Sequence, residues 1–230
     1  RIYKLESASH SYKKVKGLTA KVRFLIEVKG QLYAATNFGL YRVNDNTASV
    51  VIPNLNIVFA QESEVQEGDI LIGTTKGAYV YTSNGSLKSL IEQKESVVSI
   101  TQLDNSTYAL SSEFDVYTVS TNTGVKPEKV KMPEGELGSP YVRRVQGKIM
   151  VFYKGGTYEL NNGILLKTDS FPVSEDSNYY YFQQGFLWQH ANHSWQCWAN
   201  RSFDLNVDRQ LLNIFENPTF LFVSNESKLY

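Results

Sequence analysis

The densest concentration of chemically capable side chains runs from Trp188 to Trp198, which holds all three tryptophans, two of the three histidines and the only cysteine. His190 and His193 are three residues apart, but the surrounding pattern places them on either side of a hairpin turn, not on one helical face. Metal centres need three or four ligands in a defined geometry, and no further ligand motif accompanies the pair, so no metal and no cofactor is expected. Cys197 lies inside an aromatic strand-like run without the base and orienting carboxylate that a nucleophile requires, and reads as a small buried hydrophobe. The acids Glu175-Asp176 and Glu62 with Glu64 sit in polar loops where nothing raises a pKa or fixes the carboxylate separation that glycoside hydrolysis demands. Phosphate-binding glycine loops and zinc-protease motifs are absent.

A second set of residues suits binding better than catalysis. Arg23, Phe59, Tyr141, Arg143, Arg144, Tyr179 and Tyr180 all stand where an apolar run begins. Aromatic faces stack on the apolar faces of sugars, and guanidinium forks grip carboxylate or sulfate. The ligand-binding candidates are therefore Arg23, Tyr141, Arg143, Tyr179 and Tyr180, with His190 or Trp195 reaching the same face. The more ordinary reading is that the tyrosines fill space between packed sheets while the arginines stay solvated.

The elements that must position these side chains are strands. The 230 residues include fifteen Tyr and twelve Phe, a composition that favours a packed, strand-rich chain over a disordered one. Twenty-three Lys plus Arg balance twenty-three Asp plus Glu, so no general positive field draws the chain onto nucleic acid or an anionic membrane, and no contact with nucleic acid is expected. No apolar run approaches the ~20 residues of a membrane span, and no membrane insertion of this chain is expected. The start, Arg1-Ile2-Tyr3-Lys4, carries neither an initiator Met nor a signal-peptide core, as expected of a trimmed or processed piece.

One repeat organises the chain. Gly30-Gln31-Leu32-Tyr33-Ala34-Ala35-Thr36-Asn37-Phe38-Gly39-Leu40-Tyr41-Arg42-Val43 aligns without a gap on Gly68-Asp69-Ile70-Leu71-Ile72-Gly73-Thr74-Thr75-Lys76-Gly77-Ala78-Tyr79-Val80-Tyr81. Weaker copies contain Thr107, Ile149 and Leu187, and a last one contains Leu229. The anchors Leu32, Ile70, Thr107, Ile149, Leu187 and Leu229 are spaced by 38, 37, 42, 38 and 42 residues. Each copy reads as short apolar runs broken by Gly- or Asn-containing turns, closed by a more variable fourth run such as Ala48–Ile52 or Gly163–Leu166. Four strands in about forty residues predict an all-β fold, a β-propeller of four-stranded blades.

Arg1–Leu5 resembles a third strand and Phe220–Val223 a first strand, so the chain is expected to start and end mid-blade. That gives about five whole blades plus one split between the termini: either a six-bladed ring closed by a composite blade or a fragment of a larger propeller. Closure satisfies edge strands that an open arc leaves exposed, which favours the ring. The stretch from Lys126 to Pro140 reads as a long loop between blades, and residues 1–230 as a single propeller domain.

Leu32 to Arg42 and Ile70 to Tyr79, the latter with its Gly73-Thr74 pair, resemble the two-component-regulator propeller repeat, in which a Gly-Thr pair and a Gly-Leu pair flank the turn before a basic or aromatic strand. The resemblance covers residues 21 to 82; Tyr33 stands in place of the usual Trp, and the third to fifth copies lack the Gly-Thr pair. It implies a periplasmic or otherwise extracytoplasmic sensor propeller of a hybrid two-component system or related transcription regulator, of the kind found in Bacteroides-like bacteria and often responsive to glycans. The implied partners are an oligosaccharide or other small ligand, neighbouring domains of the same polypeptide and a second copy in a homodimer. Kinase activity would lie outside this chain, which is expected to be non-catalytic. A docking or dimerisation scaffold and a glycan-processing enzyme on a propeller frame are the competing functions.

Overall fold

The computed structural model describes residues 2–6, 11–122, 126–134, 139–145, 147–153 and 156–169, and beyond these the strand segments 179–183, 186–191, 194–198, 204–205, 211–216 and 221–225. Among the described residues every regular element is a β-strand. The first two, β1 (Tyr3–Glu6) and β2 (Ser11–Lys14), form an antiparallel hairpin. Five four-stranded sheets follow, each with its strands side by side in chain order. Blade one is β3 (Val22–Val28), β4 (Gln31–Thr36), β5 (Gly39–Asn44) and β6 (Thr47–Pro53); blade two is β7 (Ile57–Glu62), β8 (Ile70–Thr74), β9 (Gly77–Tyr81) and β10 (Leu87–Glu92). Blade three is β11 (Ser99–Gln102), β12 (Thr107–Ser111), β13 (Val116–Ser120) and β14 (Lys126–Lys129). Blade four is β15 (Tyr141–Val145), β16 (Lys148–Tyr153), β17 (Gly156–Asn161) and β18 (Ile164–Thr168). Blade five is β19 (Tyr179–Gln183), β20 (Phe186–Ala191), β21 (Ser194–Trp198) and β22 (Asp204–Leu205), and a last pair joins β23 (Leu211–Glu216) to β24 (Leu221–Asn225). Successive four-stranded meanders of this kind are the architecture of a β-propeller.

The chain divides into two compact units, Arg1–Glu113 with Tyr117–Lys129, and Phe114–Val116 with Val130–Tyr230. Within the first, the reason for the repeat is visible in burial. The second strands β4 and β8 lie between neighbouring layers, and every residue of β8 is buried. A strand covered on both faces reads as a continuous apolar run, as Ile70-Leu71-Ile72 does. Outer strands have no such neighbour: β14 is exposed at every position and β6 at most. This explains why fourth strands vary most in sequence. It also corrects the expectation of a loop from Lys126, because Lys126–Lys129 pairs with Tyr117–Ser120. Pro127 cannot donate to a ladder, and an outer edge is where a strand tolerates it.

Ile26, Val28, Tyr33, Ala35, Leu40 and Ile52 of blade one pack with Ile57, Ala60, Ile70, Ile72 and Tyr81 of blade two in one buried cluster. Side-chain amides add polar ties at the same spacing: Gln61 Nε2 donates to Ile100 O (3.0 Å) and Gln66 Nε2 to Asn105 Oδ1 (2.8 Å), each linking residues 39 apart. The N-terminal hairpin continues into Lys16, which bridges to Thr47 at the outer strand of blade one, while Val15 and Leu18 bury against Ala34 and Val43. Near the other end, β23 pairs with β24, so the last hairpin opens one strand earlier than the alignment of Phe220–Val223 with a first strand predicts. The run Leu211-Leu212-Asn213-Ile214-Phe215 supplies that strand, and the turn-forming pair Asn217-Pro218 follows it in the sequence.

Candidate ligand-binding site

The register within each blade gives the candidate residues equivalent addresses. In blade one Phe24 of the innermost strand lies opposite Ala35, which lies opposite Leu40. The same row in blade two is Phe59, Gly73 and Ala78; in blade four it is Tyr141, Phe152 and Thr157; in blade five it is Tyr179, His190 and Trp195. Three of the candidates thus fall in a single cross-strand row of blade five. Tyr180 belongs to the neighbouring row, opposite Gln189. His193 lies outside the described residues. Tyr141 and Tyr179 hold the position that Phe24 and Phe59 hold in the first two blades. There the two phenyl rings meet edge to face, 6.4 Å between centroids, in a packing contact between adjacent blades.

Arg23 is the extra residue of a β-bulge: the pairing jumps from Val22 with Thr36 to Phe24 with Ala35. Blade two repeats the bulge at Val58. Bulges re-aim the residue they insert. Here the effect is to carry the half-buried guanidinium to the next blade, where Nη1 donates to the carbonyl of Ile57 (2.8 Å). One arm of Arg23 therefore ties the innermost strands of blades one and two together. Tyr141 and Arg143 alternate on β15 and are both half-buried, as is Arg144 on the opposite side of the strand. Arg143 sits opposite Met150.

A cavity that the sequence reading does not single out lies in the first unit, with a volume of about 310 Å³. Tyr33, Arg42, Lys29, Tyr81 and Asn84 contribute to its wall. Its only sequence signal is the pairing of Tyr33 with Arg42 across β4 and β5, which becomes visible once the strand register is known.

No family model and no curated protein matches this chain. Solved structures do. The extracellular domain of the hybrid two component system BT4673 from B. thetaiotaomicron is similar over 95% of this chain and 32% of its own length, with TM-score 0.67 and 14% identity. That of the hybrid two component system BT3049 from the same organism covers 90% of this chain and 33% of its own, with TM-score 0.56 and 16% identity. An ancestral GH74 enzyme is similar over 91% of this chain and 35% of its own, with TM-score 0.60 and 10% identity. The chain therefore spans about a third of the length of these proteins, and at such identities the likeness shows the shared fold.

Proposed function

We propose that this chain is a non-catalytic, ligand-sensing propeller domain of a signal-transduction or transcription regulator, located outside the cytoplasm and responsive to a glycan. Its output is carried by neighbouring domains of the same polypeptide or by a dimer mate. The observation that carries this reading is the repeated first-strand position: Phe24 and Phe59 pack as phenyl rings, whereas the same register position is a tyrosine at 141 and 179, with Arg143 two residues beyond Tyr141. A tyrosine there keeps the ring that packs and adds a polar tip for a ligand. The likeness to extracellular domains of hybrid two component systems supports the same reading, and no helix among the described residues is long and apolar enough to cross a membrane.

All three tryptophans lie in blade five, at 188, 195 and 198, so intrinsic fluorescence reports on that blade. Titration with soluble acidic oligosaccharides is expected to give a saturable fluorescence change, and Tyr141→Phe together with Arg143→Gln to weaken it at least about tenfold, the equivalent of about 1.4 kcal/mol. A response unchanged in that double variant excludes the proposed face. A scaffold role is favoured by one observation in each unit, the exposure of Phe38 (62%) and of Phe114 (67%); self-association lost on replacing these two by Ser would support it.

A further inference from the structure

We propose that the cavity between blades one and two, independent of the face described above, is a binding site for a small hydroxylated organic anion, a single sugar acid in size. Its position follows from the register. Tyr33 lies opposite Ile26 on one side and Arg42 on the other, and the Arg42 guanidinium stands 6.0 Å from the Tyr33 ring centroid. Tyr81 closes the row from blade two, its ring edge to face with Tyr33 at 6.2 Å. Lys29 comes from the β3–β4 turn and lies across the backbone of Gly68. A β-carbon on Gly68 would stand 3.0 Å from Lys29 Cε and 3.2 Å from Nζ, and Gly68 adopts φ +92°, a conformation that favours glycine.

The wall is rich in donors. Among the described residues neither Lys29 nor Arg42 has an ion pair or hydrogen bond, and neither the Tyr33 nor the Tyr81 hydroxyl has a partner within the protein. Asn84 Oδ1 accepts from Ser86 N (3.1 Å) and from the Thr82 hydroxyl, which leaves the Asn84 amide nitrogen as a further donor. Of the nearby carboxylates, Glu62 Oε1 accepts from Gly68 N (3.3 Å) and Asp69 Oδ1 from Ser83 N (2.8 Å), and neither forms an ion pair with Lys29 or Arg42. Two cations, two phenols and an amide around one cavity select an anion. The phenols and the Asn84 amide, together with Gln31, select a hydroxylated one. Gln31 spends its nitrogen on the carbonyls of Leu32 (3.1 Å) and Val43 (2.9 Å), so its oxygen remains to accept from a ligand hydroxyl. A volume of about 310 Å³ stands at the lower end of small-molecule sites and suits a ligand of one ring, not an oligomer.

The test is calorimetric titration of the whole chain with glucuronate, glucose and inorganic phosphate, in the wild type and in Lys29→Gln, Arg42→Gln and Arg143→Gln. The first two replaced residues are exposed, so folding is not at stake. Saturable binding of glucuronate is expected, at least tenfold tighter than either glucose or phosphate and weakened about tenfold by each of Lys29→Gln and Arg42→Gln; tenfold corresponds to about 1.4 kcal/mol. Loss on Arg143→Gln with the cavity variants unaffected would place the ligand on the other face and overturn this site while sparing the proposed function. Absence of saturable glucuronate binding, equal affinity for glucose, or phosphate binding as tight as glucuronate overturns it as well.

Discussion

Blades two and four differ in the chemistry of the last residue pair that joins their second and third strands. In blade two the Thr74 hydroxyl donates to Gly77 O (3.0 Å) and accepts from Lys76 N (3.1 Å); blade one repeats this with Thr36, Gly39 and Phe38. Gly77 sits at φ +140°, and a β-carbon there would lie 2.1 Å from Ile91 O, so the third strand runs against the fourth at a distance only glycine allows. In blade four Tyr153 takes the place of Thr74, opposite Gly156. It is fully buried, its ring edge to face with Tyr158 at 5.8 Å and its hydroxyl donating to Met132 Sδ. Gly156 has no positive φ, and the atoms nearest to a β-carbon on it belong to the Tyr158 side chain, the first at 3.2 Å. The signature of the repeat is thus the hydrogen-bond chemistry of one turn, while the blade itself needs only burial and register.

The largest effect expected from this contrast is on Tyr153. Tyr153→Ala removes a fully buried ring and should cost about 3–5 kcal/mol in chemical denaturation. A loss below 1 kcal/mol, roughly the size of a single hydrogen bond, would mean that burial does not hold the turn of blade four. Next come the two glycines. Gly77→Ala is expected to destabilise by about 1–3 kcal/mol through backbone strain, and Gly156→Ala by clearly less, because a side chain and not a carbonyl has to give way. Equal losses in the two melting temperatures would erase the difference between the blades. Thr74→Val leaves the Lys76 amide without its acceptor and should cost about 1 kcal/mol.

The smallest effects are on pH dependence. Burial, followed by the nearness of Asp115 and Tyr158, raises the Tyr153 phenol far above its usual value. The folded state therefore keeps a proton that the unfolded chain gives up above about pH 10, and stability falls as the pH rises past that point. Tyr153→Phe is expected to flatten this alkaline limb. At the acid end, hydrogen bonds from the Ser106 backbone first, then from the Ser106 hydroxyl and Thr107, hold Asp104 below the usual carboxylate range. Its contribution is present above the unfolded value of about 3.9 and is lost as the pH falls through the lower folded one. Asp104→Asn should remove that acid-side slope and leave the alkaline limb untouched.

The contrast between blades also explains how far the sequence could be read. Leu32–Val43 and Ile70–Tyr81 were legible as strand, turn and strand because Thr36, Gly39, Thr74 and Gly77 write the turn into the chain. The strand Lys126–Lys129 was not, since an exposed outer strand needs no apolar pattern and tolerates Pro127. Tyr141 and Tyr179 each open the first strand of a blade, and His190 and Trp195 share a row with Tyr179. The bulge that re-aims Arg23 left no mark in a single sequence. The cavity was invisible for a different reason: Lys29, Arg42 and Tyr81 meet only through register and the packing of one blade on the next.

Binding without catalysis is the central claim. Its most direct test is to titrate an acidic oligosaccharide into the protein by calorimetry and then to chromatograph the same sample after long incubation. Saturable heat with the oligosaccharide recovered intact is the predicted result; absence of heat, or recovery of cleaved sugar, would contradict it.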